Sequence, residues 1–147
     1  MKSLVAGMEE LGKLAGEFAT RLIPKQNGAT IVTLSGDLGA GKTAFAKALA
    51  REFGIDEDVT SPTYVIEKIY APAKGAFSRF IHIDAYRLNS AHDLDVLGWR
   101  ELLADSGNLI ILEWPERVED AIPKSAVNIA FEIEGERRIL TVHEKGK

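Results

Sequence analysis

A glycine-rich octapeptide, GDLGAGKT at residues 36–43, constrains the fold of this chain more than any other sequence feature. An apolar, β-rich run at residues 29–35 precedes it, and a run with helical periodicity follows at residues 43–50. In the order strand, loop and helix, the pattern G-x-x-x-x-G-K-[ST] forms a loop that surrounds phosphate groups. The sequence therefore predicts an α/β fold with a nucleotide-binding loop between a strand and a helix.

The residue types of the octapeptide suit the binding of a polyphosphate. Glycines let successive backbone N–H groups curl around phosphate oxygens, because a Cβ atom would clash or block the approach. The helix after the loop adds the positive end of its dipole. Lys42 is expected to reach the β- and γ-phosphates, and the Thr43 hydroxyl is expected to ligate Mg²⁺. The predicted nucleotide-binding residues of this loop are Leu38, Gly39, Ala40, Gly41, Lys42 and Thr43.

Length and composition favour one globular domain that covers residues 1–147. The chain contains no cysteine, so disulfides and thiolate metal sites are excluded. No apolar stretch approaches the roughly 20 residues that span a bilayer, and the N-terminus lacks the residue order of a signal peptide. We therefore expect a cytoplasmic protein without a membrane segment.

The charge distribution argues against tight, direct binding of RNA or DNA. The chain has 22 acidic and 18 basic side chains, and its net charge is -4. Its basic residues are scattered, whereas proteins that bind nucleic acid through phosphates carry a basic stripe. A nucleotide is compatible with this charge, because loop amides, Lys42 and Mg²⁺ neutralise its phosphates locally.

Hydrophobic periodicity predicts the remaining elements. Apolar residues recur at helical spacing between residues 4 and 22, and Pro24 ends that helix. A helical segment at residues 90–104 is broken near Gly98. Further strands are predicted at residues 63–70 and 77–83, at 109–112, and at 127–133 and 138–143, with the first two and the last two as antiparallel pairs. Together these elements predict a three-layer α/β domain, with a mostly parallel sheet and antiparallel additions.

Two predicted strands end in a carboxylate. Glu113 follows the apolar residues 109–112, and Asp84 follows a run that His82 interrupts. Ligands of parallel sheets bind at the carboxyl ends of the strands, so both acids are expected to face the phosphates. One acid is expected to hold Mg²⁺ and the other to orient water or the metal ligands. The sequence does not decide which acid has which role, and a plain surface carboxylate remains an alternative for each.

A third segment, VTSPTY at residues 59–64, follows the loop helix. Many phosphate-loop proteins have a switch here that senses the γ-phosphate, and hydroxyls at Thr60, Ser61 and Thr63 suit that role. Pro62 fixes the local backbone. An ordinary proline turn with flanking hydroxyls explains the same residues, so both interpretations remain open.

Four sequence blocks occur in an order that resembles the TsaE family, formerly called YjeE. They are GDLGAGKT at residues 36–43, SPTY at 61–64, HIDAYRL at 82–88 and EWPE at 113–116. The resemblance implies a small bacterial ATPase required for threonylcarbamoyladenosine at position 37 of tRNAs that read codons beginning with A. It also implies ATP and Mg²⁺ as cofactors, TsaD and TsaB as partners, and contact with tRNA only through that complex.

The resemblance implies roles for residues of the loop and of the two strand ends. Lys42 and Thr43 bind phosphate and Mg²⁺, and Glu113 completes the metal site. Asp84 lies in a block that the family requires for activity. The threonylcarbamoyl transfer belongs to the partners, so the chain is expected to be an ATPase subunit with Lys42, Asp84 and Glu113 as its catalytic residues.

Residues outside the loop are implied in nucleotide binding as well. Thr63 belongs to the switch-like segment, and Glu116 and Gly135 border the nucleoside. Trp114 is expected near the nucleotide, or else as a core or interface aromatic. The three histidines are too dispersed for a metal-ligand pattern, so we expect them to be structural or surface residues.

Two other function classes fit parts of the sequence. A small-molecule kinase would need an arginine-rich lid, but only isolated arginines occur between Asp84 and Glu113. A nucleotide-gated binding module would use ATP only to lock an interaction surface, such as the apolar N-terminal helix. GTP specificity is disfavoured, because the N-K-x-D signature does not occur. No arginine is an obvious built-in finger, so slow intrinsic hydrolysis is expected.

Overall fold

A computed structural model describes residues 2–5, 7–37, 40–56 and 67–144, with only the backbone at residues 2–5 and 8. No helix in these ranges is long and apolar enough to cross a membrane. Two 3-10 turns, Pro115–Arg117 and Glu119–Ala121, precede the last two strands. The helices and strands are β1 (Lys2–Val5), α1 (Met8–Ala19), β2 (Thr30–Gly36), α2 (Lys42–Glu52), β3 (Glu67–Tyr70), β4 (Arg79–Asp84), α3 (His92–Asp95), α4 (Trp99–Ala104), β5 (Asn108–Glu113), β6 (Val127–Glu134) and β7 (Arg137–His143).

The described strands form one seven-stranded sheet in the order β1-β7-β6-β2-β5-β4-β3. The central strands β6, β2, β5 and β4 pair in parallel. Antiparallel pairs add β3 at one edge and β7 and β1 at the other. Parallel neighbours need long crossover connections, which α2 and the α3–α4 segment contribute. The predicted sheet, parallel at its centre with antiparallel additions, is confirmed.

Helices cover both faces of the sheet, which confirms the three-layer arrangement. On one face, the Phe45 ring of α2 lies 6.1 Å from the Phe18 ring of α1 and 5.7 Å from the Phe131 ring of β6, measured between centroids. On the other face, Trp99 and Leu102 of α4 belong to a second buried cluster. Every residue of β5 is buried between the two layers, as expected for a central strand of a parallel sheet.

The N-terminal segment differs from its prediction. A single helix was expected over residues 4–22, but Lys2–Val5 forms a strand and the helix spans Met8–Ala19. Leu4 lies opposite Ile139 in the antiparallel pair with β7. A strand of four residues has too few positions to show a period in the sequence, and its hydrogen-bond partners lie at the other end of the chain.

The other predicted elements agree with the structure where it describes them. The helical segment at residues 90–104 is divided into α3 and α4, and Gly98 is the N-cap of α4. β3 and β4 form the predicted antiparallel pair, although residues 63–66 lie outside the described part. The final pair, β6 and β7, turns at Gly135 as expected.

Candidate functional site

The carboxyl ends of β2, β5 and β4 meet at one edge of the sheet, beside the start of α2. In the parallel register, Leu34 of β2 lies opposite Glu113 of β5, and Glu113 lies opposite Asp84 of β4. β2 leads into the glycine-rich loop, and α2 begins after it at Lys42. The two strand-end acids and the first residues of the loop helix are therefore neighbours in space.

The loop backbone depends on glycine at two positions. Gly36 has a φ of 132°, and a Cβ atom there would lie 2.2 Å from the carbonyl oxygen of Phe131. Gly41 has a φ of 102° and is the N-cap of α2, where its carbonyl accepts a hydrogen bond from Phe45 N–H at 2.9 Å. Side chains disfavour such φ values. The first N–H groups of α2 have no partner within the helix and carry the positive end of its dipole, so they suit an anion.

Lys42, the first residue of α2, is buried, with 5% of its surface exposed. Its ammonium group donates hydrogen bonds to the backbone carbonyls of Gly36 and Asp37, the second at 3.3 Å. The same nitrogen lies 3.7 Å from the ring centroid of Trp114, a distance at which the π face attracts a cation. The lysine predicted to bind phosphate is thus held at the loop by two carbonyl oxygens and one indole.

Burial and nearby charges have opposite effects on Lys42. Burial lowers the pKa of its ammonium group below the ordinary value of 10.5. Four carboxylates oppose this shift, and in decreasing order they are Glu113, Glu116, Asp84 and Asp37. Charges interact more strongly away from water, so a partly dehydrated ammonium group attracts a phosphate more strongly than an exposed lysine does.

Glu113 connects the phosphate loop to strand β4. Only 2% of its surface is exposed. The Thr43 hydroxyl oxygen lies 3.1 Å from Oε1 and 3.2 Å from Oε2 of Glu113. The Nε2 atom of His82 lies 2.6 Å from Oε2. The two residues predicted as metal ligands, Thr43 and Glu113, are therefore in direct contact.

Asp84 ends the neighbouring strand, but its environment differs. It is half-buried, and its Oδ1 atom accepts a hydrogen bond from the backbone N–H of Tyr86 at 3.0 Å. This contact between a side chain and the backbone two residues later stabilises a turn. The next residue, Ala85, donates its N–H to the carbonyl of Glu113 at 3.0 Å. The chain after β4 is thus fixed to the end of β5.

Trp114 follows Glu113 in the left-handed region, with φ 62° and ψ 53°. Among the described residues it is the only non-glycine with a positive φ, a conformation that costs roughly 1–2 kcal/mol. Its N–H donates to Leu34 O at 3.2 Å, and its ring lies 4.9 Å from the Tyr86 ring. The left-handed turn places the indole over Lys42, and strained residues of this kind cluster at functional sites.

The other predicted nucleotide-binding residues surround this centre or lie outside the described part. Ala40 is buried, and Glu116 is exposed in the 3-10 turn after Trp114, near enough to affect the pKa of Lys42. Gly135 lies four residues beyond Phe131, which is opposite Gly36, so it extends roughly 13 Å past the loop along the strand. Leu38, Gly39 and Thr63 lie outside the described part of the chain, as does the rest of the switch-like segment at residues 59–64.

The oxygen atoms at this edge fit a magnesium ion. Mg²⁺ prefers oxygen ligands and is usually bound through one or two protein groups together with substrate phosphates and water. Thr43 and Glu113 offer one hydroxyl and one carboxylate at adjacent positions. Within the described ranges, His, Cys, Asp and Glu side chains nowhere form a group of three or more that could hold a metal ion. The site therefore suits a metal that shares its coordination with a bound phosphate.

Sequence reasoning did not assign His82 to the site. The structure buries this side chain completely and places it against Glu113. One signal was available, since alternate strand residues share a face and His82 therefore shares a face with Asp84. Its contact with Glu113 also requires the register of β4 against β5, in which His82 lies opposite Ile111.

Comparison with known proteins relates this chain to one protein family. The sequence model described as threonylcarbamoyl adenosine biosynthesis protein TsaE matches residues 6–140. The TsaE protein of Borreliella burgdorferi is 38% identical over 114 residues, which cover 77% of this chain and 80% of that protein. The TsaE protein of Rickettsia prowazekii is 32% identical over 139 residues, covering 93% of this chain and 90% of that protein.

A solved structure supports the same relationship. The crystal structure of Bacillus subtilus YdiB matches with a TM-score of 0.76 and 27% identity, covering 99% of this chain and 86% of that chain. The fold is that of P-loop NTPases, and the family match includes the glycine-rich loop and both strand-end acids. This chain belongs to the TsaE family, whose proteins take part in the biosynthesis of threonylcarbamoyladenosine in tRNA.

Proposed function

We propose that this chain is a single-domain, cytoplasmic, Mg²⁺-dependent ATPase subunit required for threonylcarbamoyladenosine formation at position 37 of tRNAs that read codons beginning with A. The contact between Thr43 and Glu113, beside the lysine of the loop, carries the proposal. A phosphate loop alone binds nucleotide, whereas hydrolysis also needs an acid near the metal and a group that aims the attacking water. Here a hydroxyl, a buried carboxylate and a buried lysine converge at one edge of the sheet.

Each of these residues has a proposed role. Loop amides and Lys42 bind the β- and γ-phosphates, and Lys42 exchanges its carbonyl contacts for phosphate oxygens. Thr43 and Glu113 hold Mg²⁺, which neutralises charge on the transferring phosphate when it is bound. Asp84 orients water at the same edge. This assigns the main metal-side role to Glu113, because Glu113 contacts Thr43 directly.

Nucleotide binding extends beyond these residues. We infer that Leu38, Gly39, Ala40 and Gly41 surround the phosphates through their backbone N–H groups. Thr63 senses the γ-phosphate from its switch-like segment. Glu116 and Gly135 border the nucleoside, one from the 3-10 turn after Trp114 and the other from the β6–β7 turn.

TsaD and TsaB are the proposed partners, and tRNA is reached only through them. Family membership supports this, as does a net charge of -4 without a basic cluster suited to RNA. Hydrolysis by the chain alone is expected to be slow. Arg117 lies 5.3 Å from the Tyr86 ring centroid, which keeps this cation against an aromatic ring. An arginine finger typically raises the rate by about 10³–10⁵-fold, and we infer that assembly supplies or repositions such a group.

ATP hydrolysis by the purified chain, alone and with the TsaD–TsaB pair, tests this function. We expect Mg²⁺-dependent phosphate release that is slow for the chain alone and at least about tenfold faster with the pair. The Lys42→Met variant keeps an unbranched side chain but lacks the ammonium group, so its release should fall to background in both samples. A tRNA modification assay with the same proteins and a supplied threonylcarbamoyl donor then checks whether turnover accompanies threonylcarbamoyladenosine formation.

Two outcomes would replace the proposal. Background release by the wild-type chain with and without the pair, together with intact ATP binding, would favour a nucleotide-gated binding module. Transfer of phosphate to a small acceptor in place of water would favour a kinase.

A further inference from the structure

His82, in the middle of β4, is a histidine with 0% of its surface exposed. Its neighbours along the strand, Ile81 and Ile83, are apolar and are buried on the other face of the sheet. Its Nδ1 atom has no hydrogen-bond partner among the described residues. A buried polar atom without a partner costs about 1–3 kcal/mol, so an apolar residue would serve packing better at this position.

Among the described contacts of His82, the one with Glu113 offsets this cost. Nε2 of His82 lies 2.6 Å from Oε2 of Glu113, and both side chains are buried. A carboxylate accepts hydrogen bonds, so Nε2 of His82 is the donor in this contact. The strand register fixes the geometry, because His82 lies opposite Ile111, two residues before Glu113 on β5.

Glu113 is therefore held from two sides. Thr43 contacts it from the N-terminus of α2, and His82 contacts it from β4. A Glu side chain has three rotatable bonds, and a fixed donor on one oxygen removes most of this freedom. Residues that orient a metal ligand in this way typically change metal affinity or activity by about 10–100-fold when they are removed.

We propose that His82 is a positioning residue that orients the Glu113 carboxylate toward Thr43 for binding of the Mg²⁺–nucleotide complex. This inference rests on the proposed ATPase function and assigns a role to a residue of the same site. In this role His82 acts through Glu113.

Two replacements of His82 test this role, one that keeps a hydrogen-bond donor and one that removes it. His82→Gln keeps a nitrogen donor that can occupy the position of Nε2, whereas His82→Leu has a similar size and no donor. Calorimetric titration of each variant with ATP gives one Kd in excess Mg²⁺ and one in excess chelator. The Kd in chelator divided by the Kd in Mg²⁺ measures how much the metal strengthens ATP binding. For His82→Leu we expect this ratio to fall by about tenfold or more, with ATP binding in chelator nearly unchanged. His82→Gln should restore most of the ratio.

A control separates positioning from packing. Ile111→Val removes one methylene group from the buried partner position of His82 on β5 and leaves Glu113 unchanged. It should lower Tm without altering the Kd ratio. NMR of the imidazole nitrogens adds a readout in the absence of metal and nucleotide. His82 should show an exchange-protected Nε2–H signal, unlike the exposed His92 and His143.

Specific results would overturn the inference. Equal Kd ratios for wild type and His82→Leu, or equal losses for His82→Leu and His82→Gln, would leave His82 with a packing role only. An Nδ1–H tautomer in the free protein would do the same. Failure of the ATPase proposal looks different, because wild type itself would then show no effect of Mg²⁺ on ATP binding and no hydrolysis.

Discussion

The ends of β5 and β4 lie side by side, and each strand finishes in an acid at the same level of the sheet. Glu113 is buried and contacts side chains from two other elements, Thr43 of α2 and His82 of β4. Asp84 is half-buried and accepts a hydrogen bond from the backbone N–H of Tyr86. One carboxylate thus links three elements, while the other fixes the turn that follows its own strand.

This difference shows that the same sequence pattern produces two environments. Both acids follow apolar strand residues, and both are close enough to affect the pKa of Lys42, Glu113 more strongly than Asp84. The side chain of Glu113 reaches Thr43 at the start of the loop helix. The larger functional effect is therefore expected at the end of β5.

Removal of the Glu113 charge is the strongest test of the difference between the two strand ends. We expect Glu113→Gln to reduce ATP hydrolysis by at least about 100-fold, the size of loss seen when a group that stabilises transition-state charge is removed. Phosphate release under saturating Mg²⁺ and ATP measures this effect. Glu119→Gln, at an exposed position of the second 3-10 turn, is the matched control and should leave the rate unchanged. A loss below tenfold would remove Glu113 from the metal site.

Two replacements of Asp84 separate its charge from its turn contact. Asparagine keeps an oxygen that accepts the Tyr86 N–H, so Asp84→Asn should retain Tm while the rate falls about tenfold, or 1.4 kcal/mol of activation free energy. Alanine loses the acceptor too, so Asp84→Ala should cost an additional 1 kcal/mol or so of unfolding free energy. Thermal unfolding and hydrolysis measure the two effects. If Asp84→Asn lost as much activity as Glu113→Gln, the two strand ends would be functionally equivalent.

Glu67 is a third acid near this edge of the sheet, and its replacement is expected to have the smallest effect of the three. Glu67 begins β3, opposite Ile83, and burial raises the pKa of its carboxyl group above the ordinary 4.5. Between the unfolded and the folded pKa values, the folded state therefore retains a proton that the unfolded state releases. The contribution of Glu67 to the stability of the folded state is fully present below about pH 4.5 and is lost as the pH rises through the folded pKa. Glu67→Gln should raise stability at neutral pH by about 0.5 kcal/mol or less.

Unfolding in denaturant at several pH values tests the Glu67 effect. The gain of Glu67→Gln over wild type should grow between pH 4.5 and neutrality, where wild type becomes ionised. Glu132→Gln, at an exposed position of β6, serves as the control and should show no such trend. A pH-independent difference at Glu67 would mean that its charge does not oppose folding.

The sequence predicts most of the features that depend on nearby residues. The loop at residues 36–43 and helix α2 follow from a local pattern of glycines and apolar residues, and β5 follows from its four consecutive apolar residues. β1 was missed because its hydrogen bonds are made with β7, far away in sequence. Local periodicity contains no information about such a partner.

The same distinction applies to the candidate site. Lys42 and Thr43 could be identified from the motif, and the two acids from their positions at strand ends. For His82 the sequence indicates only that it shares a strand face with Asp84, because its contact with Glu113 exists only in the register of β4 against β5. The left-handed backbone of Trp114 was equally unpredictable, since φ values above zero are unusual for a bulky residue.

The indole over Lys42 makes the site visible to optical spectroscopy. The chain has two tryptophans. Trp99 is buried in the cluster beside α4, with its indole N–H bonded to the Ala121 carbonyl at 3.0 Å, and Trp114 packs against the same cluster. Trp114 lies 3.7 Å from the Lys42 ammonium group, which is proposed to bind phosphate. A change in tryptophan fluorescence on addition of nucleotide would therefore make the protein its own unlabelled sensor of binding at the loop.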